Sequence, residues 1–549
     1  MKNFVRAFAF FVFVTALAPL AAQEALASSP LKAQEPSAAF TKWNGAVHSK
    51  ASARAKPLSK ATDYGYAPSP VNWSHLDNVA YGIGGAASLK RAATLPSSYD
   101  LRERMPAVRN QYPFGNCWTH SAMSATESNL ITKGLANSQD VFLSEWYLTY
   151  FGYNPTSVFP SFTNSSGAPY HSAGADDWRA VALLSRGTGA VSEALCPTPK
   201  ELSEVYVPAE MNRGYKLLNA LYLGNLMKTE VPVVLTPGRK EMLKEALMRY
   251  GALSVGLLYE DSAYDTKTCA FYSGAPYSKT NHAVTVVGWD DEYSFDAASL
   301  DKKPEKPGAW IVRNSWGADW GLDGYFYVSY EEPSLCDGVV YDTAPALSKE
   351  NIYQYDPLGT VGFVGYGDKA SFANMFTAKG NEAVTSVAFY TSAPDQKCTI
   401  QIYTRCAASP VDGKLAATQT LSIGAPGYHT VALDTPVRVA KGSKFSIVVH
   451  TSSDKTPYLI PAEYVLENYS ESAAANAGEG WISPDGEIFD DILSDDGMGA
   501  DSKASVCLKA FTVDDPESSG GCSAGAYGLI LFAAAVPFVR RRGRGRPIK

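Results

Sequence analysis

Disulfides cannot be what holds this chain together. Its 549 residues include only 8 cysteines, at 117, 196, 269, 336, 398, 406, 507 and 522, too sparse for a stapled scaffold. Stability has to come from packed cores, and a hydrophobic content of 46% with 12% aromatics supplies the material for them. A basic excess is missing too. Lys and Arg total 48 against 55 Asp and Glu, a net charge of −7, which excludes a nucleic-acid partner because phosphate neutralisation needs a basic face. The acidic stretch 485–501 lacks the regular Asp spacing and Gly of a calcium loop, so no metal and no cofactor is expected. There is no internal repeat, and no apolar run long enough to cross a bilayer comfortably.

What is present begins with Gln111-Tyr112-Pro113-Phe114-Gly115-Asn116-Cys117-Trp118-Thr119-His120. Pro113 and Gly115 break regular structure, and Ala122, Met123, Ala125, Leu130 and Ile131 then repeat at helical spacing. Cys117 is therefore expected at a helix N-terminus, where unpaired N–H groups favour a thiolate. A thiolate nucleophile needs a base and a group to orient that base. The base candidate is His282, opening the apolar strand Ala283 to Trp289. The orienter candidate is Asn314, in Asn314-Ser315-Trp316-Gly317, whose side-chain oxygen can accept the second imidazole N–H. Alone, Cys117 reads as half of a disulfide, His282 as a core histidine and Asn314 as a turn residue; in this order and context they read together.

The Gln, Cys-Trp, His, Asn-Ser-Trp-Gly order, with Trp320-Gly321 and Gly324-Tyr325 following, resembles the papain-like cysteine peptidases. The resemblance implies Cys117 as nucleophile, His282 as base and acid, Asn314 as orienter and Gln111 as oxyanion donor. It also implies substrate-binding or shielding roles for Gly174, Trp118 and Trp316. The Cys-to-His separation exceeds the usual ~130–150 residues, an excess that insertions around 154–172 or 199–236 absorb. Phe114 stands where many members carry a bonded Cys. His120 stands where an aromatic is usual, and one helical turn behind the thiol it is read as packing rather than as a rival base.

The fold class expected is α+β: a two-lobed catalytic domain over 95–346, with a helical lobe and a β-barrel lobe, then an all-β sandwich over 350–514. Short alternating segments split by Gly, Pro and Asp turns carry the second prediction. That region resembles the lectin-like domain of bacterial papain-like proteins, for instance at Phe372-Ala373-Asn374-Met375-Phe376, which implies cell-surface glycan as a partner. Within it the spacing of Cys398 and Cys406 permits a local bridge.

The ends read as addresses. Lys2, Arg6, the apolar run Ala7 to Ala18 and Ala25-Leu26-Ala27 form a signal peptide over 1–27. Residues 28–94, rich in Ala, Ser, Pro and Lys, are a pro-segment or linker, with a dibasic cut expected at Lys90-Arg91. The tail 515–549 carries Gly520-Gly521-Cys522, an apolar run to Val539 and an arginine cluster. It resembles a Synergist-CTERM sorting signal, implying a sorting protease that acts near Gly521 and Cys522. The whole predicts an exported endopeptidase acting on proteins or peptides, held briefly in the inner membrane and then sent to the surface or medium. The alternatives are a surface adhesin or carbohydrate-binding protein with a non-catalytic scaffold, and a hydrolase of cell-wall peptides.

Overall fold

The structure, a computed structural model, describes residues 30–51, 64–77, 79–83, 95–166, 168–204, 207–209, 214–224, 238–274, 280–347 and 349–515. Lys90, Arg91, Gly521 and Cys522 lie outside these, as do the leader and the C-terminal tail. Within the N-terminal segment, where the sequence shows no sustained periodicity, a helix nevertheless forms: α1, Ala38–Ala51. Ser37 Oγ accepts the Phe40 N–H at 3.1 Å, and Phe40 is buried against Val361 and Tyr469 of the C-terminal domain. Just upstream, Lys32–Ala33 adds an antiparallel strand to Val364 and Gly365. Tertiary contacts, not local pattern, hold this segment.

The helical lobe is built on α2 (Cys117–Thr132), α3 (Glu145–Tyr153) and α4 (Asp177–Ser185). Every residue of α2 from Cys117 to Leu130 is buried, so it is a central helix rather than an amphipathic surface one. Ser144 caps α3, its Oγ accepting from the Tyr147 N–H at 3.0 Å. Asp176 caps α4 through the N–H groups of Trp178 and Arg179. The second lobe pairs Leu253–Leu257, His282–Asp290, Ala309–Arg313 and Tyr325–Ser329 in antiparallel succession. Helix α5 (Arg239–Tyr250) contributes Met242, Leu243, Ala246 and Leu247 to that lobe's core.

The C-terminal part of the chain is all-β, as expected, its core drawn from alternating positions such as Ile400 and Ile402, Ile447 and Val449, Phe372 and Phe376. Cys398 and Cys406 are both unbridged thiols, so the local disulfide that their spacing permits does not form. Burial pushes the Cys398 thiol up to about 12, which keeps it protonated and inert.

The two domains share one sheet. The sandwich strand Gly427–Val439 pairs with the catalytic-domain strand Tyr215–Tyr222 through Gly427↔Leu221, Tyr428↔Ala220 and His429↔Asn219. Gly427 makes the approach possible: at φ +133° a Cβ there would stand 2.0 Å from the Ala220 carbonyl oxygen. Gly427→Val should therefore destabilise the chain by about 2–4 kcal/mol. It should also split a single thermal transition into two in calorimetry, one for each domain.

Candidate active site

Two lobes with separate cores must bring one thiol and one imidazole together. Asn116 opens α2 without a side-chain cap, and its Nδ2 donates to Thr149 Oγ1 at 3.1 Å. The positive end of the helix is thus left at Cys117, whose Sγ accepts the Ala283 N–H at 3.3 Å. One turn further along α2, Ser121 Oγ donates to the Val284 carbonyl at 2.6 Å and lies 2.7 Å from Ser254 Oγ. This buried triple contact fixes α2 against the strands that carry His282.

His282 opens its strand fully buried. Its Nε2–H donates to Asn314 Oδ1 at 2.8 Å, and that bond fixes the tautomer, leaving Nδ1 without a hydrogen-bond partner. Trp316 stacks on the imidazole, ring centres 5.0 Å apart and planes 16° from parallel. Burial pushes the His282 pKa down to about 4, with the Asn314 hydrogen bond pulling it partly back.

Ser315, unremarked in the sequence, is the brace of the site. Its N–H donates to Asn314 Oδ1 at 2.8 Å and its hydroxyl to Gln111 Oε1 at 2.6 Å. With its oxygen tied back, Gln111 presents its amide N–H groups forward, to the Tyr64 carbonyl at 2.9 Å and the Phe114 carbonyl at 3.0 Å.

Behind the thiol lies a buried charge network. Arg109 Nη2 donates to Glu127 Oε1 at 2.8 Å, and its Nε stands 2.6 Å from Glu145 Oε1, a close ion pair without hydrogen-bond alignment. Burial alone would lower the Arg109 pKa, but Glu127, Glu145 and Glu193 outweigh it and hold it raised. Arg109 thereby ties the loop before Cys117 to α2 and α3. His120 faces this network, with Nδ1 3.4 Å from Glu145 Oε1. Burial lowers its pKa far, and Arg109, Arg313 and His282 lower it further, so it stays neutral.

The N-terminal segment runs through the cleft between the lobes. Tyr64 N–H donates to the Asn281 carbonyl at 3.1 Å, and its ring lies 5.0 Å from His282 and 4.9 Å from Trp316. Gly65 crosses the Gly115–Asn116 turn where a Cβ would meet the Gly115 carbonyl oxygen at 2.0 Å. Tyr66 then bridges in parallel to Ala175: Ala175 N–H to the Gly65 carbonyl at 3.1 Å, and Ala67 N–H to the Ala175 carbonyl at 3.0 Å. Gly174 flanks this pairing with φ +73°, but Ala175 makes the bonds. Trp118 is buried in the helical-lobe core, edge-on to Tyr153.

Neutral His282 is the form that the strapped structure holds. Since its pKa is below the unfolded value, its contribution is complete above about pH 6.5 and is lost as pH falls toward about 4. Thermal midpoints of full-length Cys117→Ala and of Cys117→Ala/His282→Gln should accordingly diverge across this window, the histidine-bearing chain losing more on acidification. Parallel curves would contradict the assignment.

Two family models match the chain: papain family cysteine protease over residues 219–344 and lectin like domain over 352–512. The first span holds His282 and Asn314 but begins after Gln111 and Cys117. Cysteine proteinase 2 of Zea mays is 28% identical over 244 residues, 43% of this chain and 56% of that protein. Human cathepsin L2 is 26% identical over 249 residues, 44% of this chain and 63% of that protein. The chain thus spans less than two thirds of the length of these curated relatives. Among solved structures, the cysteine protease and lectin-like domains of Cwp84, a surface layer associated protein of Clostridium difficile, superimpose with a TM-score of 0.71. That match has 22% identity and covers 89% of this chain and 99% of that one. The Clostridial protease Cwp84 after propeptide cleavage gives 0.62 at 23% identity, covering 76% of this chain and 100% of that one. The fold is therefore papain-like followed by lectin-like.

Proposed function

We propose that this papain-type cysteine peptidase joined to a lectin-like domain is an exported endopeptidase working through Cys117, His282 and Asn314. The observation that carries the reading is the His282–Asn314 bond, which leaves a bare Nδ1 on the strand whose next N–H touches Cys117 Sγ. His282 Nδ1 takes the thiol proton, and the thiolate attacks the scissile carbonyl carbon. The oxyanion is met by Gln111 Nε2–H and the Cys117 N–H. Collapse expels the amine with the proton from His282 and leaves a thioester. Water then attacks the thioester, giving its proton to His282, and a carboxylate leaves as the thiol re-forms.

Residues 28–94 act as the pro-segment. Tyr64 engages the Gln111 amide and Tyr66 pairs with Ala175, so substrate has no access until the segment leaves. Lys90-Arg91 is the cut that precedes the mature chain. The leader 1–27 sends the protein out. The Synergist-CTERM-type tail, opened by a sorting protease near Gly521-Cys522, holds it in the inner membrane before release to the surface, where the sandwich faces glycan.

An epoxide-type cysteine-protease probe should label Cys117 alone once the pro-segment is removed, as read by peptide mass spectrometry. Label on Cys196 or Cys269 with Cys117 untouched would refute the site. His282→Ala should abolish turnover and Gln111→Ala should lower kcat by about 10²–10³, while His120→Ala leaves most activity. For the tail, the exported form should have the mass of a chain ending near Gly521, and Cys522→Ala should retain the full tail in the membrane.

A further inference from the structure

The cleft segment does more than block the site: one of its side chains fills a pocket built for a particular chemistry. Tyr66, 4% exposed, projects from the pairing with Ala175 and donates its hydroxyl to Asp337 Oδ2 at 2.5 Å. Asp337 is aimed there by an irregularity. The Cys336–Pro345 strand pairs with Leu253–Leu257 at Cys336↔Gly256 and Val339↔Ser254, and the register shifts between them. Asp337 occupies this bulge at φ +50°, a left-handed conformation that turns its carboxylate out of the strand's normal alternation.

The walls keep space for a long side chain. A Cβ at Gly256 would lie 3.3 Å from Tyr66 Cζ, 2.8 Å from Cys336 Sγ and 2.9 Å from Thr280 Cγ2, so any other residue there would encroach on the pocket. Tyr222, whose hydroxyl stands 3.5 Å from Asp337 Oδ1, borders the carboxylate on the other side. Asp176 and Asp177, at the head of α4, act electrostatically on the same region. Both already have partners, Asp176 in α4's first N–H groups and Asp177 in the Tyr341 hydroxyl. Asp337 is thus the carboxylate that meets whatever enters. Burial raises its pKa, and hydrogen bonds from Tyr66, Cys336 and Tyr222 oppose the rise, so a donor in the pocket favours the ionised form.

Resting on the peptidase reading above, we propose that Asp337 sets substrate preference. The subsite beside Ala175 selects a side chain with a hydrogen-bond donor at its tip, Lys, Arg or Tyr, over an apolar one of similar bulk. Tyr66 is the chain's own occupant of that subsite. With an apolar tip in the pocket the buried carboxylate loses the hydrogen bond that Tyr66 gives it, whereas an ammonium, guanidinium or phenol restores it.

The test is a peptide library varied on both sides of the scissile bond, cleaved by full-length protein from which the pro-segment has been removed. One position should be enriched in Lys, Arg and Tyr, with Tyr above Phe and Arg above Leu by roughly tenfold to a hundredfold in kcat/KM, the range of a hydrogen bond to a charged group. Asp337→Leu should reverse that ratio at the same position, with epoxide-probe titration reporting the fraction of folded sites. A second measurement does not require the altered pocket to fold: the released segment carrying Tyr66→Phe should inhibit the wild-type enzyme about tenfold more weakly. Cleavage with Leu or Phe preferred at every position, or equal inhibition by the two segments, would overturn the proposal while leaving the peptidase intact. No cleavage of any peptide and no labelling of Cys117 would instead overturn the peptidase reading itself.

Discussion

Everything at this site depends on a contact that carries out no chemistry. Ser121 sits one turn along α2 from the thiol, and its hydroxyl reaches the carbonyl of Val284, two residues beyond the imidazole. Helix and strand belong to different lobes, and where they meet Cys117 and Ala122 pack in one core with Ala283. A buried hydroxyl bonded to a buried carbonyl holds them in register, and neither group can slip without losing its partner at a cost of about 1–3 kcal/mol. Ser315 does the same on the other side of the cleft, binding Asn314 through its amide and Gln111 through its hydroxyl. His282, Asn314 and Gln111 thus share one frame, which Arg109 extends to the loop before Cys117 by pairing with Glu127 and Glu145.

The parts of this arrangement that were legible in the sequence are those written locally. The helix after Gly115, the Ser144 cap and the strand beginning at His282 follow from spacing and capping chemistry. So does the alternating pattern of the sandwich. The strap was not legible in the same way. Tyr64, Gly65 and Tyr66 have no periodicity because their bonds go to Gln111, Asn281 and Ala175, far away in the chain. The Ser315 brace looks like one more loop serine until Gln111 and Asn314 are brought to either side of it. Trp118 shows the opposite case: adjacency to the thiol suggested the cleft, yet α2 is buried all round and its ring goes to the core. The Asp337 bulge was hidden because a left-handed aspartate leaves no mark on hydrophobic alternation.

The strap also explains a choice of residue types that composition leaves opaque. Passage over the Gly115–Asn116 turn demands glycine at 65, and the carboxylate of Asp337 suits a phenol at 66. The strap lies over Gln111 and Ala175. Its hold is spread over both domains, with Phe40 against Tyr469, and Trp73 stacked on Tyr222 at 4.5 Å.

The sheet that passes from Tyr215–Tyr222 into Gly427–Val439 has a mechanical meaning. A binding domain on a loose linker would let a catalytic domain sweep freely through space. Here the junction is a ladder of backbone hydrogen bonds, so the two halves turn as one body. The orientation of the sandwich therefore sets the compass bearing of the cleft, whose reach becomes a fixed direction rather than a volume.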